Sequence, residues 1–306
     1  MQQILELFQK AISQPKPTLF LSHSNARTLL FSAEGLVWLV NRLISDKEVK
    51  RSLKILKKLE DVLGKITECE EQLTVFSRQK KIKPVNVELL TLKRDGIVAK
   101  FDLRLIEKAY YQNIFNGIIY EFAIDFNDDM LIKKLKEIIR DELERVAAFY
   151  VDHKAGFKSQ KEIHELRRKL RWISIYAQAF RGIAVLTDTG VNYKWESEFI
   201  TREEVRLPFN KLVERKDLAG HIYFNKKAFL ALSHIINELG KIKDALLLLR
   251  QLEKSLVKSG LADGNVQAQA LKQLNLQKNR KQLLKEGDKL AAAFFETHRI
   301  HEMLIL

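Results

Sequence analysis

The stretch that decides the fold is Lys161-Glu-Ile-His164-Glu-Leu-Arg167-Arg168-Lys-Leu-Arg171. A helix turns by about 100° per residue, so these positions divide between two faces. The apolar face consists of Ile163, Leu166, Leu170, Ile173, Ala177 and Phe180. The other face is basic, with Lys161 at its edge and four residues along its centre line: His164, Arg167, Arg168 and Arg171. The pattern predicts an amphipathic helix that buries one side and exposes a row of guanidinium groups around an imidazole.

The chemistry of this basic face suits binding better than reaction. Guanidinium forks match the geometry of phosphate oxygens, and a histidine can donate to an anion in either protonation state. Each residue also has a simpler interpretation. His164 could be a partly buried histidine bonded within a helical bundle, and the arginines could be solvated and paired with Glu162 or Glu165. Taken together, we interpret the residues of this face as a polyanion-binding surface.

The composition agrees with a folded, basic, polyanion-binding protein. The 306 residues include 53 Lys and Arg against 39 Asp and Glu, which gives a formal net charge of +14. Hydrophobic residues make up 46% of the chain, enough for a sizeable core. The positive charge attracts polyanions, and nucleic acid, inorganic polyphosphate and an anionic membrane surface all satisfy that condition.

Cysteine content and hydropathy limit the predicted cellular location of the protein and the chemistry that it can carry out. Cys69 is the single cysteine, so the sequence offers no internal disulfide and no cysteine-based metal site. We find no secretory signal and no apolar run long enough to span a membrane. Nucleotide-binding glycine loops, serine-nucleophile motifs and metal-binding histidine pairs are also missing. The sequence therefore predicts a cytoplasmic protein without enzymatic activity or cofactor, with association with polyphosphate granules an open alternative.

Four prolines and 12 glycines leave long stretches free of helix breakers. Periodicity predicts helices over 47–76, 101–122, 128–153, 158–182 and 265–303, and a long helix or bent pair over 225–258. Between Pro84 and Phe101, the Asp95-Gly96 pair lies between strand-like residues and favours a hairpin, with a helix–loop–helix as the alternative. Residues 183–222 lack a sustained period, and we interpret them as an irregular segment with short elements.

A weak internal repeat suggests two related halves. Leu63-Gly64-Lys65-Ile66 recurs as Leu239-Gly240-Lys241-Ile242, and each copy follows a predicted helix that carries a histidine and an arginine. These upstream segments contain His23 and Arg27 in the first half, and His164 and Arg167 in the second. We predict an all-α protein made of an N-terminal half, 1–127, and a C-terminal half, 128–306.

The order of these features resembles the CHAD family, the conserved histidine α-helical domain. The spacing His164-x-x-Arg167-x-x-x-Arg171 matches the core motif of that family, and Leu239-Gly240-Lys-Ile-Lys-Asp244 matches its second element. The resemblance covers nearly the whole chain. It implies two four-helix bundles related by a pseudo-twofold axis, basic helices lining a cavity, and binding of inorganic polyphosphate.

The chain departs from the family pattern at several positions, so we describe it as resembling a divergent member. Trp172 and Ile175 occupy positions that are usually basic in the family, and Thr67 stands where an aspartate is expected. The spacing from His23 to Arg27 is one residue too wide. The N-terminal half is therefore the degenerate copy.

Two further basic rows complete the predicted site. One row near the C-terminus follows the spacing i, i+3, i+7, i+11 and consists of Lys278, Lys281, Lys285 and Lys289. A shorter row consists of Lys133, Lys136 and Arg140, of which Lys133 and Arg140 are the candidates for binding. A solvated lysine-rich surface remains the alternative for both rows.

We therefore predict non-catalytic binding of inorganic polyphosphate. His164, Arg167, Arg168 and Arg171 are the central residues, with Lys161 in support. The second-tier candidates for binding are Lys278, Lys281, Lys285, Lys289, Lys133, Arg140, His23 and Arg27. A nucleic-acid-binding helical protein and a scaffold that docks acidic partners are the alternatives, and the lack of interleaved aromatic residues weighs against nucleic acid.

Overall fold

The computed structural model describes residues 2–78, 84–107, 128–180, 182–212, 220–258 and 263–306. The chain divides into two compact units, Met1–Asp125 and Phe126–Leu306. Apart from two short strands, the regular structure of the described residues is helical. The predicted all-α class is thereby confirmed, while the pseudo-twofold relation and the CHAD likeness stay predictions.

The first unit is built around one long helical hairpin. The helices described in this unit are α1 (Gln2–Ile12), α2 (Pro17–His23), α3 (Ala26–Ile44), α4 (Lys47–Arg78) and α5 (Pro84–Glu107). Ser45 adopts a left-handed conformation that ends α3, so α4 folds back along it. Apolar residues of both helices, Leu30, Val37, Leu56 and Leu59 among them, are buried in a common core. The helix predicted over 47–76 is confirmed as α4.

The hairpin predicted between Pro84 and Phe101 is wrong, and so is its helix–loop–helix alternative. Helix α5 is continuous through Asp95-Gly96. Residues at helical spacing along one of its faces are buried: Leu90, Val98, Phe101 and Leu105. Tertiary packing of this face overrides the local turn preference of Asp-Gly. Of the helix predicted over 101–122, residues 101–107 belong to α5 and the remainder lies outside the described residues.

The second unit contains a bundle of four long helices. These are α6 (Asp128–Asp152), α7 (Gln160–Ala179), α10 (Lys226–Lys258) and α12 (Arg280–Ala292). Helix α7 packs against the other three, and α10 also packs against α12 and against α11 (Asp263–Leu274). The helices predicted over 128–153, 158–182 and 225–258 are confirmed, the last as a single helix.

A parallel pair of short strands joins two segments of the second unit. Strand β1 (Ala184–Thr187) pairs with β2 (Ile222–Asn225) in a register that aligns Ala184 with Ile222. Between the strands lie α8 (Glu196–Phe199), α9 (Arg202–Arg206) and a 3₁₀ turn, Pro208–Asn210. These are the short elements expected in the irregular segment 183–222, of which residues 213–219 lie outside the described residues. Strand β2 leads directly into α10 and fixes where that helix begins.

The single helix predicted over 265–303 is wrong. Helix α11 ends at Leu274 because Asn275 takes a left-handed conformation. A new helix, α12, begins after Asn279, whose side chain accepts from the backbone N–H of Gln282 in a reciprocal capping box. A π-helical turn, Ala293–Thr297, and a 3₁₀ turn, Ile300–Met303, follow α12.

Candidate anion-binding site

Helix α7 buries its apolar side as the periodicity predicts. Ile163, Leu166, Leu170 and Ile173 have no exposed surface. The predicted basic residues therefore lie on the sides and outer face of the helix, where His164 and Arg168 are exposed and Arg167 and Arg171 are half-buried.

Arg167 lies flat on the neighbouring helix, at a glycine. A Cβ atom added to Gly240 of α10 would stand 2.9 Å from Nε of Arg167, closer than real Cβ atoms approach, and 3.3 Å from its Nη2, which is a tight contact. Nε of Arg167 also donates a hydrogen bond of 3.1 Å to the carbonyl oxygen of Ile236, one turn earlier in α10. Gly240 thus provides the space in which the guanidinium reaches the helix backbone, and Arg167 is held in one place.

His164 and Lys243 extend the charge around this arginine. The pKa of His164 is lowered from its ordinary value, mainly because the ring is partly removed from water and further because Lys243, Arg167 and Arg168 are positive. Glu165 opposes the shift. Lys243 follows Gly240 by three residues, which places both on the same face of α10. The cluster formed by His164, Arg167 and Lys243, referred to below as the Arg167 cluster, combines two helices.

Lys243 was missed in the sequence prediction. Its side chain is half-buried and pairs with Asp244 at 2.5 Å. Lys243 follows Gly240 at the spacing i, i+3, so it could have been predicted if Gly240 were known to face α7. The sequence alone does not show which face of α10 meets the basic helix.

The other basic residues predicted on α7 differ in their ion pairs and in their exposure to solvent. Arg168 forms a two-point ion pair with Glu165, at 2.8 and 2.7 Å, which is the simpler interpretation considered for it. The pKa of Glu165 is lowered, chiefly by this hydrogen bond from Arg168. Arg171 lies one turn after Arg167 on the same side of α7. Lys161 is exposed in the first turn.

In the first unit, an arginine also lies on a glycine, and this arginine pairs with a carboxylate. A Cβ atom at Gly64 would stand 3.0 Å from Nη2 of Arg27. Nε and Nη2 of Arg27 donate to Oε1 of Glu60 at 3.1 and 3.0 Å, and Lys57 pairs with Oε2 of Glu60 at 3.2 Å. Only 5% of Glu60 is exposed. Glu60 precedes Gly64 by four residues, as Ile236 precedes Gly240.

The predicted grouping of His23 with Arg27 on one helix is wrong. His23 is the last residue of α2, and Arg27 lies in the first turn of α3. Nε2 of His23 lies 2.8 Å from Oε1 of Glu70, so the histidine faces an internal carboxylate as well. The chain turns at Ser24 and Asn25, and this break explains the extra residue in the His23–Arg27 spacing.

The lysine row near the C-terminus is not the continuous stripe that its spacing suggested. Lys278 precedes α12 and pairs with Glu286 at 2.7 Å, while Lys281, Lys285 and Lys289 are exposed along α12 at intervals of four. An open depression of about 430 Å³ is lined by Lys278, Gln282, Lys285, Glu286 and Lys289. Here a carboxylate lies among the ammonium groups.

The row on α6 is interrupted. Lys133 and Arg140 are exposed on that helix, but Nζ of Lys136 between them donates to the backbone oxygen of Leu306. The structure therefore places the predicted residues on α7, on and just before α12, on α6 and in the first unit. Lys243 of α10 lies near the α7 group, whereas in the first unit Lys57 of α4 shares Glu60 with Arg27.

Within the described ranges, no helix is long and apolar enough to cross a membrane. No group of three or more His, Cys, Asp or Glu side chains could hold a metal ion in that same part of the chain. Comparison of the chain with models of known protein families, with curated proteins and with solved structures finds no match.

Proposed function

We propose that the protein binds inorganic polyphosphate at the Arg167 cluster and does not transform it. The observation that carries this proposal is the seating of Arg167 on Gly240, beside His164 and Lys243. Three cationic or proton-donating groups from two packed helices are thereby held close together. Because Arg167 is already ordered, binding costs less side-chain entropy than it would at a mobile arginine. The resemblance of the motif spacing to the CHAD family supports the same ligand.

The chemistry of the cluster favours a flexible chain of phosphates over nucleic acid. Single-stranded nucleic acid is usually held by aromatic side chains that stack on bases. The aromatic residues beside the basic face, Trp172 and Tyr176, stack on each other with ring centroids 5.5 Å apart, and Tyr176 is buried. The face thus offers donors for phosphate oxygens without an open stacking platform.

The Arg167→Ala/Arg171→Ala variant tests the proposal. We expect its affinity for polyphosphate to fall at least tenfold, because two guanidinium contacts of about 1 kcal/mol or more each are lost. Binding by the wild type should also weaken steeply with ionic strength, and the variant should show a smaller salt slope. Fluorescence anisotropy with labelled polyphosphate, at a low and a physiological ionic strength, measures both quantities.

The matched control is Arg206→Ala/Arg250→Ala, which removes the same charge from two exposed positions of the second unit. Equal affinity losses in the two double variants would show that net charge alone attracts the polymer, and would contradict the site. Competition with RNA distinguishes the ligand classes. Displacement of polyphosphate by RNA at a lower phosphate concentration would favour the nucleic-acid alternative.

The lowered pKa of His164 predicts that polyphosphate binding depends on pH. A bound polyanion stabilises the imidazolium, so the complex takes up a proton that the free protein lacks. Affinity should therefore rise as the pH falls from about 7.5 through the ordinary histidine value of about 6.5. The His164→Gln variant should show a flatter pH dependence, whereas His221→Gln should keep the wild-type slope. A slope that is unchanged in His164→Gln would exclude this histidine from the site.

A further inference from the structure

Helix α5 of the first unit has a second apolar face that the described residues leave exposed. Its buried face faces the core, with Leu90, Val98, Phe101 and Leu105 at most 8% exposed. Leu89, Leu92 and Leu103 are 48%, 63% and 55% exposed. Three leucines with about half of their surface in water are aligned on this helix, whereas the solvent-exposed side of a helix usually carries polar residues.

The exposed residues follow the spacing of a coiled-coil seam. Leu89, Leu92, Gly96, Ala99 and Leu103 are separated by three, four, three and four residues, which places them at alternating a and d positions of a heptad repeat. All five are exposed. A Cβ atom added to Gly96 would meet nothing within 4 Å, so the centre of the seam is open space. A second helix could approach closely at Gly96 and Ala99 and pack against leucines at both ends.

The charges that flank the seam are sorted by sign. The g positions hold Glu88 and Asp95, and the e positions hold Lys93 and Lys100. In a parallel, in-register pair, each g residue faces the e residue five positions further along the partner. Glu88 would then face the partner's Lys93, and Asp95 the partner's Lys100. In an antiparallel pair, acids would face acids and lysines would face lysines, which disfavours that orientation.

We propose that α5 is a self-association surface, on which a second copy of this chain packs its own α5 parallel and in register. The sorted charges identify the occupant, because the helix is complementary to itself in that one orientation. They also provide local neutrality in a chain whose net charge of +14 otherwise opposes self-association.

The surface is short, which sets the strength of the dimer. The next g position, Asp102, accepts hydrogen bonds from the backbone N–H and hydroxyl of Thr18 at 2.8 and 2.5 Å, within its own unit. The e position that it would face is Glu107, also acidic. Two heptads of contact are below the size of a standard interface of about 1,600 Å². We therefore expect a dimer that dissociates in the micromolar range.

Sedimentation velocity across low to high micromolar concentrations tests the association. The wild type should change from monomer to dimer, and Leu92→Glu should remain monomeric with an unchanged melting temperature. Leu36→Glu, at a leucine that is 44% exposed on α3, is the matched control and should dimerise like the wild type. A wild type that is monomeric throughout overturns the proposal. So does a marked loss of thermal stability in Leu92→Glu, because that result would place the seam against the chain's own fold.

Disulfide trapping tests the orientation independently. In a parallel pair, position 89 lies beside position 89 of the partner copy, so the Leu89→Cys variant should form disulfide-linked dimers under mild oxidation. Cys69 is buried and provides little background. An antiparallel pair would bring position 89 close to position 103 of the partner copy. Linkage that requires a mixture of the Leu89→Cys and Leu103→Cys variants would overturn the parallel arrangement.

Discussion

Replacing Arg27 with methionine is expected to lower the free energy of unfolding by about 3 kcal/mol. Glu60 is almost completely buried, and Arg27 donates two of the hydrogen bonds that satisfy its carboxylate. Without Arg27, the ion pair with Lys57 at 3.2 Å remains for the Glu60 carboxylate among the described residues. The magnitude is at the low end for a broken buried ion pair, because Arg27 is 38% exposed and Lys57 remains.

A double-mutant cycle separates two contributions to the loss in free energy of unfolding: the unpaired, buried charge of Glu60 and the lost packing of the Arg27 side chain. Arg27→Met/Glu60→Met should recover most of the stability, since a buried ion pair can be replaced by apolar residues at little cost. Arg51→Met is the control, because Arg51 pairs with Glu48 on the surface at 3.7 Å and should contribute less than about 1 kcal/mol. Urea denaturation followed by circular dichroism measures the wild type, the two single variants Arg27→Met and Glu60→Met, the double variant and the control. If Arg27→Met and Arg51→Met lose the same stability, Glu60 does not depend on Arg27.

The second large effect is expected at Gly240. Gly240→Leu should lower the free energy of unfolding by about 2 kcal/mol, because the new side chain needs the space between α7 and α10 that Arg167 fills. It should also break the hydrogen bond from Arg167 to Ile236 and reduce polyphosphate affinity about as much as removing Arg167 does. Urea denaturation and the anisotropy titration measure the two effects on the same samples.

Gly240→Ala separates stability from binding. Alanine gains about 1 kcal/mol of helix propensity over glycine, which offsets the loss of the hydrogen bond from Nε of Arg167 to Ile236, so stability should change little. The guanidinium must still move, and affinity should fall about tenfold, the loss of one charged contact. Gly96→Ala, compared at concentrations at which the protein is monomeric, is the control with a clear space at its Cβ, and it should gain stability without any change in affinity. Full affinity in Gly240→Ala would show that the position of Arg167 on the helix is unimportant for binding.

The helices could be predicted where a single face decides burial. Ile163, Leu166 and Leu170 repeat at the period of a helix, and a helix is the conformation that buries all of them together. The same reasoning failed at Asp95-Gly96, where a strong local turn signal lies inside α5. The residues that overrule it, Val98 and Phe101, act through contacts with distant parts of the first unit. It failed again between α11 and α12, where the conformation of Asn275 and the cap at Asn279 end one helix and begin another.

The residues of the candidate site also divide into those that could be predicted from the sequence and those that could not. The basic face of α7 could be predicted because its residues are neighbours on one helix. Lys243 could not, because its proximity to His164 depends on which side of α10 faces α7. Equally, the sequence predicts a basic pair at His23 and Arg27 but does not show the carboxylates of Glu60 and Glu70 that meet them.

By itself, the amino-acid sequence determined the helical class, the buried and basic sides of α7, and the positive charge that attracts polyanions. These properties depend on composition and on spacing within one helix. Only the tertiary structure decided that Arg167 lies on Gly240 beside a lysine, whereas Arg27 lies on Gly64 beside a buried glutamate. Both arginines lie against a glycine of the neighbouring helix, and the difference is in the residue one turn before each glycine, Ile236 or Glu60. The charge around an arginine depends on contacts between helices, and the spacing of residues along a single helix gives no information about those contacts.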